Sequence, residues 1–312
     1  MKIKHIFKGL ITYIPGFSNL GIAETGGTNT ALYCYGVWLR HLKYISKFKN
    51  INDLKNIAEL GPGDSIGIGL CVLLTGAQKY YAFDIMQYGS NKNNLIIFDE
   101  LVHMFKNKIP IPNNIDFPSM KPYLNDYSFP KEILSDEYLE NKLSEKRINS
   151  IRNSIKNDYN EKNKYIIYKA PWNSDDLIKE NSVDLIFSQA VLEHIDNIDN
   201  AYKCFALWLK NDGIMSHQVD FKCHGYADEW NGHWAYNDFE WKMIRGKRKW
   251  TINKKPLSSH IKLNQANGFE IIHSLNVKGK NGINRSKLSL ANSYLTDDDI
   301  STSGSYLVSK KL

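Results

Sequence analysis

The chain has 312 residues, 42% of them hydrophobic and 12% aromatic, with a formal net charge of +7. This composition excludes wholesale disorder, and the length is ample for a buried core in one large or two small domains. The charge is modest and its lysines are scattered along the chain, so most of it reads as solvated surface that favours anionic partners.

Residues 1–14 read as a short helix ending at Pro15-Gly16, and a Gly/Thr-rich loop follows, Glu24 to Thr30. Thr30 is placed to cap a helix over about residues 31–48, whose Leu32, Tyr35, Trp38, Leu39, Leu42 and Ile45 recur at helical spacing. That is the pattern of a core-packing helix. On this reading residues 1–50 form an N-terminal helical unit ahead of a main domain over 51–312.

The main domain opens with Ile57-Ala58-Glu59-Leu60-Gly61-Pro62-Gly63-Asp64-Ser65, a short apolar run turning through glycines into the apolar segment Ile66 to Leu74. The next apolar run ends in a carboxylate, Tyr80-Tyr81-Ala82-Phe83-Asp84. Strand, glycine turn, helix and strand make the first β-α-β of a doubly wound sheet. Gly61 and Gly63 admit a ligand where a Cβ would collide, and a carboxylate about 20 residues on accepts ribose hydroxyls. Ser65 at the third glycine position, with Asp64 where a pyrophosphate would sit, disfavours a dinucleotide. Glu59 fits a ligand carrying an ammonium group instead.

The third strand is late. Tyr165 to Tyr168 is the next convincing run, so residues 86–162 read as an insert: a helix from Asn94 to Phe105, a loop through Pro110, Pro112, Pro118, Pro122 and Pro130, then a charged helical pattern from Lys131 to about Asn160. Inserts at strand ends border the ligand crevice, and a substrate lid and a peripheral bundle are both compatible with this one. The buried strand Val183 to Phe187 ends in Ser188-Gln189, followed by Val191-Leu192-Glu193-His194. A helix over about 200–209 stops at Asn211-Asp212-Gly213, and Ile214 to Phe221 forms the fifth strand.

The densest polar and aromatic stretch comes next, within an expected acceptor-site loop over 222–257, and includes His224, Tyr226, Asn231, His233, Trp234 and Trp241. Its spacing fits no standard zinc pattern, so no metal is expected; an aromatic-walled pocket with Asp220, His224 or His233 as general base is the reading. The basic run Lys242, Arg245, Lys247, Arg248, Lys249, Lys254 and Lys255, with Trp241 and Trp250 interleaved, suggests a solvated helix edge, a clamp for one phosphate group or an RNA face. A helix from Ser258 leads to the sixth strand at Gly268-Phe269-Glu270, and Ser305 to Ser309 forms the seventh.

Glu59-Leu60-Gly61-Pro62-Gly63 resembles motif I of the class I S-adenosylmethionine methyltransferases, Asp84 stands at that family's ribose-binding position, and Leu192-Glu193-His194 is similar to its turn after strand four. The resemblance covers about residues 57–84, 165–221 and 258–310. It implies an α/β, Rossmann-like seven-stranded sheet with strand seven antiparallel, S-adenosylmethionine as cofactor, and a cap role for the N-terminal helices. The cofactor residues it implies are Glu59, Gly61, Gly63, Asp84, Ile85, Ala170 and Gln189. Where the family has an acid that reads the adenine amino group this chain has Lys169, so Asp175, Asp176 or the backbone at Ala170 and Pro171 takes that role.

For methyl transfer to a hydroxyl, His194, His224 and Asp220 are the expected catalytic residues, and Tyr35, Asn231, His233, Trp234 and Arg245 the acceptor-binding ones. The Gly26-Gly27-Thr28 loop and the stretch after Asp220 resemble methyltransferases of bacterial surface and capsular polysaccharide biosynthesis, which implies a small-molecule, nucleotide-linked sugar or phosphoramidate acceptor. Nucleic acid is not the expected partner; an RNA methyltransferase and a non-catalytic cofactor-binding protein are the alternatives. A homodimer is compatible with the sequence. Cys34, Cys71, Cys204 and Cys223 are far apart with no Cys-x-x-Cys pair, so a reduced, cytoplasmic setting without disulfides is expected. Lys8 interrupts the N-terminal apolar stretch, unlike a signal peptide, and no apolar run is long enough for a membrane span.

Overall fold

The structure is a computed structural model and describes residues 2–14, 27–87, 89–172, 177–248 and 251–312. Its centre is a seven-stranded sheet in the order β3-β2-β1-β4-β5-β7-β6, built from β1 (Asn56–Leu60), β2 (Lys79–Phe83), β3 (Ile166–Lys169), β4 (Val183–Gln189), β5 (Leu209–Asp220), β6 (Phe269–Lys278) and β7 (Thr302–Lys311). The strands from β3 through β5 pair in parallel, while β7 lies antiparallel between β5 and β6. This is the order and pairing that the resemblance implies. Strand order reverses between β1 and β4, which opens a crevice beyond their carboxyl ends.

Strand alternation sends neighbouring side chains to opposite layers. Ile57, Tyr80, Leu185 and Phe187 join the core under α2 (Ala31–Ile45), α3 (Gly67–Leu74) and α4 (Asn91–Lys106). Ala58, Leu60, Phe83 and Ile186 join the core under α7 (Ile198–Trp208) and α9 (Leu257–Ala266). Helix α2 is central: Cys34, Tyr35, Val37, Leu39, Leu42 and Ile45 are fully buried, whereas Leu32, grouped with them by spacing, lies exposed in the first turn. The start of α2 is capped as expected, the Thr30 side chain accepting from the Tyr33 N–H at 3.4 Å.

The insert carries three helices that pack as a bundle on the sheet. Helices α4 and α6 (Glu145–Lys156) bury Ile97, Phe98, Leu101, Ile148, Ile151 and Ile155 in the α2/α3 layer, and Leu139 of α5 (Asp136–Lys142) joins them. The proline-bearing loop packs on the same layer, burying Ile111, Met120 and Phe129. Arg40, fully buried on α2, donates to the carbonyls of Pro122 at 2.9 Å and Pro112 at 2.8 Å and so holds that loop against the central helix.

One expected boundary moves. The Asn211-Asp212-Gly213 turn does not end α7, which stops at Trp208; it lies inside β5 as an irregularity, where pairing jumps from Val183↔Leu209 to Leu185↔Ile214 and Asp212 takes a φ of +63°. At the amino end, α1 (Lys2–Leu10) packs on α8 (Asp238–Arg245). The expected helix stop at Pro15-Gly16 lies outside the described residues. Among the described residues no helix is long and apolar enough to cross a membrane.

Candidate active site

The turn after β1 is a cradle of bare backbone. Gly61 has a φ of +65° and Gly63 one of +71°, and a Cβ on Gly61 would stand 2.5 Å from Val191 Cγ2. Val191 comes from the turn after β4, so the two strand ends that frame the crevice meet at this glycine. Gly63 donates its N–H to Asp84 Oδ2 at 3.2 Å, and Ile85 donates to Asp84 Oδ1 at 2.7 Å. Asp84 is 6% exposed, and burial pushes its carboxyl up to about 6 despite backbone hydrogen bonds from Ile85 and Gly63. A carboxylate so placed gains from hydroxyl donors that arrive with a ligand.

The N-terminal loop docks on this cradle. The Ser65 hydroxyl donates to the Thr28 carbonyl, and the Ser65 N–H donates to Thr28 Oγ1 at 3.3 Å. Glu24, Thr25 and Gly26 of that loop lie outside the described residues, as do Asp175 and Asp176. Lys169 pairs with Glu161 at the edge of the sheet. Ala170 is exposed, and two residues on the Trp172 N–H donates to the Asp84 carbonyl at 3.0 Å. Ile85 is 43% exposed at the crevice rim.

Glu59, expected to suit a ligand's ammonium group, is engaged within the protein in this structure. Alternation along β1 turns it toward the α3 layer, where it is 1% exposed and accepts the Tyr80 hydroxyl at 2.5 Å and the Gly69 N–H. Burial pushes its carboxyl up to about 8. Gly69 makes room for the Tyr80 ring, since a Cβ there would fall 2.0 Å from Tyr80 Cζ. Gln189 is also engaged within the protein: Oε1 lies 3.1 Å from His41 Nε2, and Nε2 donates to the Lys121 carbonyl at 3.1 Å.

The three expected catalytic residues come together at the carboxyl ends of β4 and β5. The rings of His194 and His224 lie edge to face with centroids 5.0 Å apart, and His224 Nε2 is 3.8 Å from Asp220 Oδ2. Glu193 joins them. It is 2% exposed, accepts the Asp220 N–H through Oε1 at 3.2 Å, and leaves Oε2 buried with no hydrogen-bond partner among the described residues. Burial, followed by the Asp220 charge, raises the Glu193 carboxyl well above the usual range, which favours its neutral acid. One donor atom from each of Glu193, His194 and His224 fits within a mutual spacing of 4.8 Å. Burial lowers the His224 imidazole and the Asp220 carboxylate opposes that shift, so the ring is neutral and able to accept a proton at neutral pH.

Most of the expected acceptor residues are engaged in holding the fold. Tyr35 is fully buried with its hydroxyl donating to the Ile109 carbonyl at 2.6 Å. Asn231 donates to the carbonyls of Ile283 at 3.1 Å and Ile300 at 2.9 Å, and Trp234 donates to the Lys254 carbonyl at 3.0 Å. Arg245 grips Asp196 through two contacts of 2.8 and 2.6 Å. His233 is 1% exposed, against Trp234 with centroids 4.5 Å apart. Lys121, which sequence reading did not single out, is carried by the insert to the end of β7, its Nζ 3.6 Å from where a Cβ on Gly304, the β7 partner of Asp220, would stand. Its position in a proline-bearing loop carries no local signal.

The sequence profile of the methyltransferase domain family matches residues 34–274, and the chain belongs to that family. It is an S-adenosylmethionine-dependent methyltransferase. The residues present fit that cofactor: Gly61 and Gly63 leave backbone bare at the β1 end, and Asp84 offers a buried acceptor at the β2 end. Among solved structures it is similar to an S-adenosylmethionine-dependent methyltransferase from Mesorhizobium loti, at 9% identity over 87% of this chain and 98% of that one with a TM-score of 0.42. A SAM-dependent methyltransferase from Methanosarcina mazei matches at 12% identity over 86% of this chain and 97% of that one, TM-score 0.45. Phosphoethanolamine N-methyltransferase 2 of Haemonchus contortus, in complex with S-adenosyl-L-methionine, matches at 14% identity over 92% of this chain and 58% of that one, TM-score 0.44. No curated relative matches the chain.

Proposed function

We propose that the chain methylates an oxygen of a small-molecule or glycan acceptor seated over the carboxyl ends of β4 and β5. The observation that carries this reading is the meeting of His194, His224 and Asp220 at those strand ends, next to the turn whose Val191 touches Gly61. S-adenosylmethionine supplies an electrophilic methyl on a sulfonium that loses its charge as the methyl leaves. The protein's tasks are to align the acceptor, exclude water and remove a proton where the acceptor is a hydroxyl.

A sugar hydroxyl has a high pKa and needs a base near it. A neutral His224, steered by Asp220, is placed to take that proton, with His194 at its edge as the alternative acceptor. Glu59, Gly61, Gly63, Asp84, Ile85, Ala170 and Gln189 remain the residues proposed for the cofactor side, with Glu59 and Gln189 acting by holding the cradle and the neighbouring loop. The finer identity of the acceptor, a sugar hydroxyl or a phosphoryl or phosphoramidate oxygen of a bacterial surface polysaccharide pathway, rests on the sequence resemblance alone.

An RNA acceptor is less well supported, because both arginines of the basic run are already engaged. Arg245 holds Asp196, and Arg248 donates to the carbonyls of Ile244 and Lys8 at 2.8 and 2.7 Å. Lys249 and Trp250 of that run lie outside the described residues. The test is transfer of label from methyl-labelled S-adenosylmethionine to a panel of nucleotide-linked sugars, phosphoramidates and total RNA. Label in a small acceptor supports the proposal; label in RNA alone sinks it.

A further inference from the structure

We propose that Lys121 and Lys222 form an oxyanion-binding subsite that holds an anionic group of the acceptor beside the His194/His224 pair. The inference rests on the function proposed above and adds the charge of the molecule that enters.

The backbone that carries Lys121 is held in place by two side chains. Its own carbonyl accepts Gln189 Nε2 at 3.1 Å, and the carbonyl of Pro122 accepts Arg40 at 2.9 Å. Lys121 is 9% exposed and its Nζ reaches β7, 3.6 Å from where a Cβ on Gly304 would stand. Gly304 pairs with Asp220 across β5 and β7, so the amine arrives beside the end of β5. There it makes no hydrogen bond or ion pair with any described residue. Lys222 reaches the same strand end, with Nζ 3.7 Å from Asp220 Oδ2.

An ammonium on a largely buried side chain loses part of its hydration, and the charge of a second ammonium at the same strand end adds to that cost. Both effects act on Lys121: burial first, then the Lys222 charge, lower its pKa, and Asp220 only partly offsets them. The group has two ammonium ions and one carboxylate, because burial favours the neutral forms of Glu193 and His224. Asp220 is also shared with His224 at 3.8 Å. Two ammonium groups share the single Asp220 carboxylate, and an oxyanion on the acceptor would balance them. A phosphoryl group and a carboxylate both have that chemistry, and either would be oriented by charge-assisted hydrogen bonds. Arg245, the expected anion clamp, is engaged by Asp196, whereas the Lys222 charge acts on the His224 ring itself.

The experiment is calorimetric titration of the full chain, loaded with S-adenosylhomocysteine, with inorganic phosphate and separately with acetate at constant ionic strength. The parent protein binds at least one of the two, and the preferred anion identifies a phosphoryl or a carboxylate acceptor. Lys121→Gln weakens that binding at least tenfold while affinity for S-adenosylhomocysteine stays within twofold, and Lys121→Arg stays close to the parent. Should Lys121→Gln not fold, Lys222→Gln on the exposed side of the site replaces it, with at least threefold weakening expected. Absence of binding by the parent, or parent-like binding by the foldable Gln variant, overturns the proposal. A parent chain that fails to bind S-adenosylhomocysteine removes the cofactor reading instead, and phosphate titration of the bare chain then still decides the anion subsite.

Discussion

His194 and His224 meet at 86° between ring planes, each on a turn that follows a different strand. His224 adopts a φ of +48°, a left-handed conformation that a non-glycine residue takes at some cost. The strained turn carries its ring back from the end of β5 to the residue that follows β4.

Replacing His224 by Ala is expected to lower turnover on a hydroxyl acceptor at least tenfold while leaving S-adenosylhomocysteine affinity unchanged. The base must be neutral to work, and burial lowers its pKa from the ordinary value of 6.5. The acidic limb of the kcat profile therefore falls below that value, and activity persists to the alkaline side. Asp220→Asn removes the charge that favours the imidazolium and moves the limb to still lower pH. A limb unchanged in both variants removes this pair from proton transfer.

At Gly61 the prediction concerns shape. An Ala at this position meets Val191 Cγ2 at 2.5 Å and must hold a φ of +65°. The expected cost is about 1–3 kcal/mol of stability, with roughly a tenfold loss of cofactor affinity. Adding Val191→Ala relieves the contact but not the backbone strain, so recovery should be partial. Full recovery in the double variant would mean that the left-handed conformation carries no weight.

Asp84 should make cofactor binding depend on pH. The carboxylate form accepts hydroxyl donors, and its pKa lies at about 6 in the free protein, so affinity for S-adenosylhomocysteine falls as pH drops through about 6. Asp84→Asn keeps the side chain's size, removes that dependence, and weakens binding roughly tenfold by losing a charge-assisted hydrogen bond. Titrations from about pH 5 to about pH 8, spanning this pKa, check both statements.

Glu59 gives the folded chain a pH dependence of its own. Its proton is held up to about pH 8 in the fold against an ordinary value of 4.5. The associated stability is fully present below pH 4.5 and is lost as pH rises through about 8. Glu59→Gln should flatten this slope and stabilise the cofactor-free chain at about pH 8.5 by at least about 1.4 kcal/mol relative to the parent, the equivalent of roughly one pKa unit. Denaturant unfolding on the acid and alkaline sides of this window measures the difference.

The glycine turn and the strand-tip Asp84 are legible because each depends on short-range spacing, bare backbone and then a carboxylate at the end of the next apolar run, whereas the sheet order followed from the family resemblance. Glu59 was legible as part of the motif, but its direction follows from its parity with Ile57 along β1. Asn231, Trp234 and Arg245 look like pocket residues in the sequence because their polar atoms have no local partners. Their partners are the carbonyls of Ile283, Ile300 and Lys254 and the carboxylate of Asp196, all remote along the chain. Lys121 was hidden for the same reason, as it reaches Gly304 only after the loop has folded back over the sheet.

Arg40 sits wholly inside the protein, yet its two amino groups reach two separate carbonyls of one loop, those of Pro122 and Pro112. A guanidinium can serve both because its donors diverge from a rigid plane, which a lysine cannot reproduce. On the subsite proposed for Lys121, the residue that meets the acceptor's charge is seated by a guanidinium buried in the interior. A substitution at Arg40 would then shift acceptor preference without altering a residue at the mouth.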